Sequence, residues 1–219
     1  MDDQVEVDFV RLPPREMPPE IKEIFDQISQ AITRMYATHA IFKDLYGTQD
    51  SVEVLNKTAP GAFFMIRMMF KENFIIAASR LTDPKETQRK DNLTFKQLIH
   101  VFEKHCDNKA LVAKLVAHEK GLAKHCENIR IRRNKVVAHF DLSTMLQKNT
   151  MAVPAVEQKE IDDFLVMVSA FLNEVVDYYD RAHRDFNPLM TGNGQAIVQC
   201  LKMFHHSRHE EAKKRSGEI

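Results

Sequence analysis

Three features predict an all-α protein. Apolar residues recur at three- and four-residue spacing over nearly the whole chain, which gathers them on one face of a helix. Only 6 of the 219 residues are glycine and none is tryptophan. Prolines and glycines fall mainly between the periodic stretches, where they start or stop helices. A chain of this length holds one sizeable core, or one domain with an appendage. The expected architecture is one antiparallel helical bundle over residues 18–219 with an additional C-terminal helix, preceded by a loosely held arm over residues 1–17.

The elements follow in order. Pro18-Pro19 suits a first helical turn, and Ile21, Ile24, Phe25, Ile28, Ile32, Met35, Phe42 and Leu45 keep one apolar face until Gly47 stops it. His39 falls on that stripe, where a lone histidine is more often packed than a ligand. A second helix starts near Ser51 and breaks at Pro60-Gly61, before the apolar run Phe63–Ile76. Arg67, Lys71 and Glu72 interrupt that run, so it is too polar to cross a bilayer and is expected as a central core helix, with its methionine-rich face a secondary candidate for a partner protomer.

Asp83-Pro84 ends this helix and Lys85–Asp91 reads as a loop. Thr94-Phe95-Lys96-Gln97 has the form of a capping box opening a helix through Phe102. Leu111, Leu115 and their neighbours continue the pattern, with Gly121 a candidate bend into a long helix that Asp141-Leu142 closes. Ser143–Val156 has no clear period and reads as a loop. Ile161, Phe164, Leu165, Val168, Phe171, Leu172, Val175 and Tyr179 define a helix over Glu157–Asp180. After a turn at Asn187-Pro188 and Gly192–Gly194, a last helix from Gln195 places Ile197, Val198, Leu201 and Phe204 on one face.

Lysines plus arginines equal aspartates plus glutamates at 31 each, which excludes a global pull toward nucleic acid or acidic lipid and makes any such site local. Three cysteines without a close pair make no disulfide framework, and the N-terminus lacks the basic and apolar regions of a secretory signal, so the cytoplasm is expected.

The local site is Arg130-Ile131-Arg132-Arg133-Asn134-Lys135-Val136-Val137-Ala138-His139-Phe140-Asp141, with four cations in its first six positions. Guanidinium groups bind phosphate oxygens bidentately, and imidazole moves protons near neutrality. A solvated basic helix end would also place cations here. Stepping back from Arg133 by threes and fours, however, gives Ile129, Cys126 and Leu122, so this charge belongs to the apolar stripe. On an unbroken helix Arg133 and His139 are about a third of a turn and about 9 Å apart, able to line one cleft without touching. Arg132, seven before His139, shares its face, so spacing alone leaves open which arginine acts.

The run Arg133-Asn134 with His139 behind it resembles the signature of the HEPN superfamily. In its fuller form to Asp141, together with Ser79-Arg80-Leu81-Thr82-Asp83-Pro84 and Asn92-Leu93-Thr94 upstream, the chain is similar to the AbiU-like branch, associated with abortive phage infection. The likeness extends roughly from Pro18 to Phe204. It implies a HEPN-type bundle acting as a homodimer through the motif helix, cutting RNA without metal or cofactor. It further implies His139 as general acid or base, Arg133 stabilising charge on the phosphoryl oxygens and Asn134 orienting either group. Arg130, Arg132 and Lys135 would hold the RNA backbone, and a protein antitoxin is an implied partner. Arg80, Asp83 and Asp141 are candidates for a supporting place beside the cluster; for Arg80 and Asp83 the plainer expectation is an ion pair or cap at the helix end.

The alternative, from a different class, is a helical module that uses the same cationic groove to hold RNA, a nucleotide or a protein without cleaving it. A third option gives Arg133 and His139 only a structural role, in charge pairs with Asp141 or Asp83 at an interface. No zinc-type ligand spacing is present, so no metal is expected, although His205 and His209 lie four apart. Gly192-Asn193-Gly194 follows no strand and is no dinucleotide fingerprint.

Overall fold

The computed structural model of the protein describes residues 14–137, 146, 153–187 and 192–216. Among them are eight α-helices and one two-stranded hairpin, so the fold is all-α. The chain meets the bundle from Arg15 onward. Its backbone N–H donates to Tyr179 O at 2.7 Å and its guanidinium lies 4.2 Å from the Tyr178 ring centre, fastening the end of the expected arm. Residues 1–13 lie outside the described residues.

Helix α1, Pro19–Tyr46, buries Ile21, Phe25, Ile28, Ile32, Met35, Phe42 and Leu45, seven of the eight residues expected on its stripe. It stops at Gly47, where an added Cβ would lie 2.4 Å from Lys43 O, so only glycine fits. Helix α2, Gln49–Thr58, is capped by Thr48, whose Oγ1 accepts from Ser51 N at 3.1 Å.

Helix α3, Pro60–Thr82, departs from expectation. Its second half is buried through Phe74, Ile75, Ala78, Ser79, Leu81 and Thr82, while Phe64, Met65 and Met69 in the first half are 58–64% exposed. A helix of 23 residues spans about 35 Å, more than the core beside it. Because apolar residues stand on nearly every side of the run, its periodicity carries little information about where cover ends.

Beyond α3, β1 (Glu86–Thr87) and β2 (Lys90–Asp91) pair antiparallel where a plain loop was expected. Gln88 and Arg89 both take positive φ, 52° and 63°, as the tightest hairpin turns require. Gln-Arg carries none of the usual Asn-Gly signal, which is why the hairpin was not legible. Helix α4, Phe95–His105, opens on Thr94 as expected, with Oγ1 accepting from Gln97 N at 3.1 Å. Gln97 Oε1 is buried without a partner among the described residues, so the reciprocal half of the box is not made.

Helix α5, Lys109–His125, runs straight through Gly121, whose Cβ position is 3.3 Å from Met167 Cε. The glycine therefore marks close packing rather than a bend. The break comes at Cys126, and instead of one long helix there follow the short α6 (Glu127–Arg132) and a π-helical turn (Arg133–Val137).

Helix α7, Gln158–Asp180, is opened by a complete capping box between Glu157 and Glu160 and buries all eight residues expected of it. Helix α8, Asn193–Ser216, lies along α1 and α2. Val198 is buried and Leu201 partly so, but Ile197 and Phe204 are 45% and 50% exposed, leaving a narrower face than the sequence predicted. Two cores result. The main one gathers α1, the second half of α3, and α4 to α7, and the smaller joins Leu45, Leu55 and Val198. Among the described residues no helix is long and apolar enough to cross a membrane.

Candidate functional site

The apolar stripe read from the sequence is present: Leu122, Cys126 and Ile129 are 0% exposed, and the next position on it is Arg133. Helix α6 and the π turn pack against α3, which brings Arg133 to that helix's C-terminal end. There Asp83, extended at φ −68° and ψ 170° before Pro84, presents its carboxylate. Arg133 Nη1 donates to Asp83 Oδ1 at 2.8 Å and Oδ2 at 2.6 Å, and Nε donates to Asn134 Oδ1 at 3.0 Å. The two charged side chains are 21% and 25% exposed, so the pair is largely withdrawn from water. The paired charge explains how a cation is tolerated on an apolar stripe.

A guanidinium has five N–H donors. With Nη1 and Nε engaged, Nη2 has no partner among the described residues. The π turn that begins at Arg133 also alters the projection made from an unbroken helix. His139 and Asp141 themselves lie outside the described residues.

The other cations differ in their surroundings. Arg130 Nη1 donates to Thr82 O at 3.2 Å and Thr82 Oγ1 at 3.1 Å, and its Nη2 donates to Ala123 O. It thereby ties α6 to carbonyls near the C-terminal ends of both α3 and α5, groups that have no partner within their own helices. Arg132 Nη1 donates to Pro154 O at 3.2 Å, anchoring the segment that leads into α7. Lys135 is partly exposed and forms no ion pair among the described residues. Beneath this cluster burial pushes the Cys126 thiol up to about 11, only partly offset by a hydrogen bond from Thr82 and the charge of Arg130.

Arg80 and Asp83 also face a cavity of about 580 Å³ between α1 and α3. Asp83 therefore makes the helix-end ion pair and stands beside the Arg133 cluster at once. His39 lines the same cavity, and it is packed as its place on the stripe suggested. It is 8% exposed, with Nε2 2.7 Å from Asp162 Oδ1. Burial pushes the Asp162 carboxyl up, but the hydrogen bonds from His39 and Gln158 and the charge of Lys43 outweigh it, holding the group below the ordinary carboxylate range. Arg34 and Lys71, also in the cavity wall, were not singled out from the sequence. Arg34 flanks the apolar stripe of α1 at helical spacing, the one signal that could have found it. His205 hydrogen-bonds Thr58 Oγ1 at 2.8 Å, and among the described residues no group of three or more histidine, cysteine or acidic side chains is placed to hold a metal ion.

A HEPN family model described as AbiU2 matches residues 18–196. No curated protein and no solved structure matches the chain.

Proposed function

The chain belongs to the HEPN family AbiU2, and on that premise we propose that it is a metal-independent endoribonuclease, acting as a homodimer in the cytoplasm in phage defence or a toxin–antitoxin pair. The observation that supports this most is Arg133: a largely buried guanidinium, held by Asp83 and Asn134, whose Nη2 has no partner among the described residues. A guanidinium fixed in advance costs little reorganisation when charge develops on the phosphoryl group, and lysine would not offer the same fork.

In the proposed reaction a ribose 2′-oxygen attacks the adjacent phosphorus as its proton leaves, and the bond to the 5′-oxygen of the next nucleotide breaks as that oxygen gains a proton. The products are a 2′,3′-cyclic phosphate and a 5′-hydroxyl. His139 is assigned one of the two proton transfers. DNA, lacking the attacking hydroxyl, is not cut. Arg132 and Lys135 hold the strand by its phosphates, while Arg130 serves chiefly to brace the site. A protein antitoxin would restrain the activity. The test is incubation with mixed RNA in EDTA: fragments ending in cyclic phosphate are expected from the wild type and lost with His139→Ala or Arg133→Ala. Equal cleavage by His139→Ala refutes its role.

A non-cleaving RNA-binding module is the second reading. It is favoured by the matching of Arg133's charge by Asp83 and by the carbonyl partners of Arg130 and Arg132. It predicts salt-sensitive RNA binding with no fragments in the same assay.

A further inference from the structure

The cavity between α1 and α3 is a trough with an apolar floor and a cationic rim. Phe42 and Phe70 meet with ring centres 5.9 Å apart, and Tyr46 Oη donates to Phe63 O at 2.8 Å, so the two helices run antiparallel and residues 31–35 of α1 fall opposite residues 77–81 of α3. From residue 31 to residue 42 the trough follows α1 for about 16 Å. Met35, Phe42, Phe74, Leu81 and Ile161 line it and are all buried, while Arg34, Asn73 and Arg80 line it and are exposed. Arg34 and Arg80 fall toward one end, together with the small side chains of Ala31 and Ala77, and Phe42 and Phe70 toward the other.

Most other polar groups of the wall are engaged within the protein. His39 Nε2 meets Asp162, Thr38 Oγ1 donates to Arg34 O at 2.8 Å, and Asn92 Nδ2 donates to Pro84 O at 2.9 Å and to Thr87 Oγ1 at 2.8 Å. Asp83 is matched by Arg133, whereas Arg34, Lys71 and Arg80 form no ion pair with a carboxylate among the described residues. A fitting ligand therefore has one anionic head and a slender apolar body, and few hydrogen-bonding groups along its length. The volume of about 580 Å³ and the apolar lining with a few charged groups are those of small-ligand sites. We propose that this cavity binds one straight-chain alkyl carboxylate as the free monomer, its carboxylate at Arg34 and Arg80 and its tail along Met35 and Phe74 toward Phe42 and Phe70. A guanidinium matches the two carboxylate oxygens, and the tail gains by leaving water.

The experiment is calorimetric titration of the full chain, below the micelle concentration of each probe, with octanoate, decanoate and dodecanoate. Acetate supplies the head without a tail, dodecyltrimethylammonium the tail with the opposite charge, and uridine 3′-monophosphate an anion of another class. Saturable binding of dodecanoate, one per chain, is expected, with affinity rising about threefold to fourfold for each added methylene from octanoate upward, the gain of burying it. Acetate should not bind measurably, and the trimethylammonium probe should bind more weakly than dodecanoate. Charge reversals at the exposed positions, Arg34→Glu and Arg80→Glu, should each weaken dodecanoate about tenfold or more, the loss of a charge-assisted contact. Ala77→Phe, which fills the trough and leaves its cations in place, should remove binding. Thermal melting checks that each variant is folded, and the two charge reversals decide the matter if Ala77→Phe is not. Absence of saturable dodecanoate binding, equal affinity for octanoate and dodecanoate, equal affinity for the trimethylammonium probe, indifference to both charge reversals, or tighter binding of the nucleotide overturns the proposal. Heat of binding is read without cleavage, so the outcome does not depend on whether the chain cuts RNA.

Discussion

Replacing Asp83 by Asn, Arg133 by Gln, and both together measures the pair on which the site is built. Exposed ion pairs contribute about 0–1 kcal/mol, and breaking a fully buried one costs about 3–5 kcal/mol. With side chains 21% and 25% exposed and N–O distances of 2.6 and 2.8 Å, this pair falls between the two classes. A coupling energy of about 1–3 kcal/mol is expected from the double-mutant cycle. Each single variant should shift the urea midpoint downward by about 1 M, taking a slope of about 2 kcal/mol per M. The double variant should lose less than the two singles combined, because neither then strands a partner in a poorly hydrated site. Repeating the cycle at high salt should change the coupling little, whereas a solvent-exposed pair would be screened. A coupling below about 0.5 kcal/mol, or one abolished by salt, refutes the claim that Arg133 is held by a sheltered charge contact. On the proposed reaction, Asp83→Asn should also lower the cleavage rate, by up to about a hundredfold, since misplacing a positioned group carries that scale of cost.

Arg130→Ala should destabilise the fold by about 2–3 kcal/mol in urea unfolding, because it removes the donors to Thr82 and Ala123, and Arg132→Ala, which removes one contact to Pro154, should cost under about 1 kcal/mol. Equal effects would show that Arg130 does not brace the helix ends. With its thiol at about 11, Cys126 holds on the order of 0.1% thiolate at pH 8, so a thiol reagent should label exposed Cys200 in the native protein and reach Cys126 only after denaturation. Rapid native labelling of Cys126 would contradict its burial. Asp162 is held low in the folded state, so its contribution to stability is fully present above the unfolded value of about 3.9 and disappears as pH falls through the folded value. Asp162→Asn should therefore flatten the acid limb of the stability profile below about pH 4 while lowering stability at neutral pH, and an unchanged acid limb would sink the assignment.

Helices that are half-wet were the easiest to read. All eight residues expected inside α7 are buried, and α1 follows its stripe closely, because a polar side and an apolar side together define a phase. Helix α3 departs from the expected core helix along its first half, where apolar residues stand on nearly every side and define no clear phase. The sequence reads Gly121 as a bend, yet the nearness of Met167 makes it a packing position, and nothing local distinguishes the two uses. The polar hydrogen bonds of Arg130 and Arg132 were equally hidden, since their acceptors are backbone carbonyls that every residue carries.

The order of residues by itself determined the helical class, the cap at Thr94, and the placement of Arg133 on a buried stripe, all of which depend on neighbours within a turn or two. Tertiary structure alone decided what that arginine meets. Asp83 is fifty positions away, at the end of another helix, and it meets Arg133 because α6 and the π turn pack on α3. Periodicity reports that a side chain faces inward. Only packing chooses its partner, because contact between helices depends on crossing geometry that no single helix encodes.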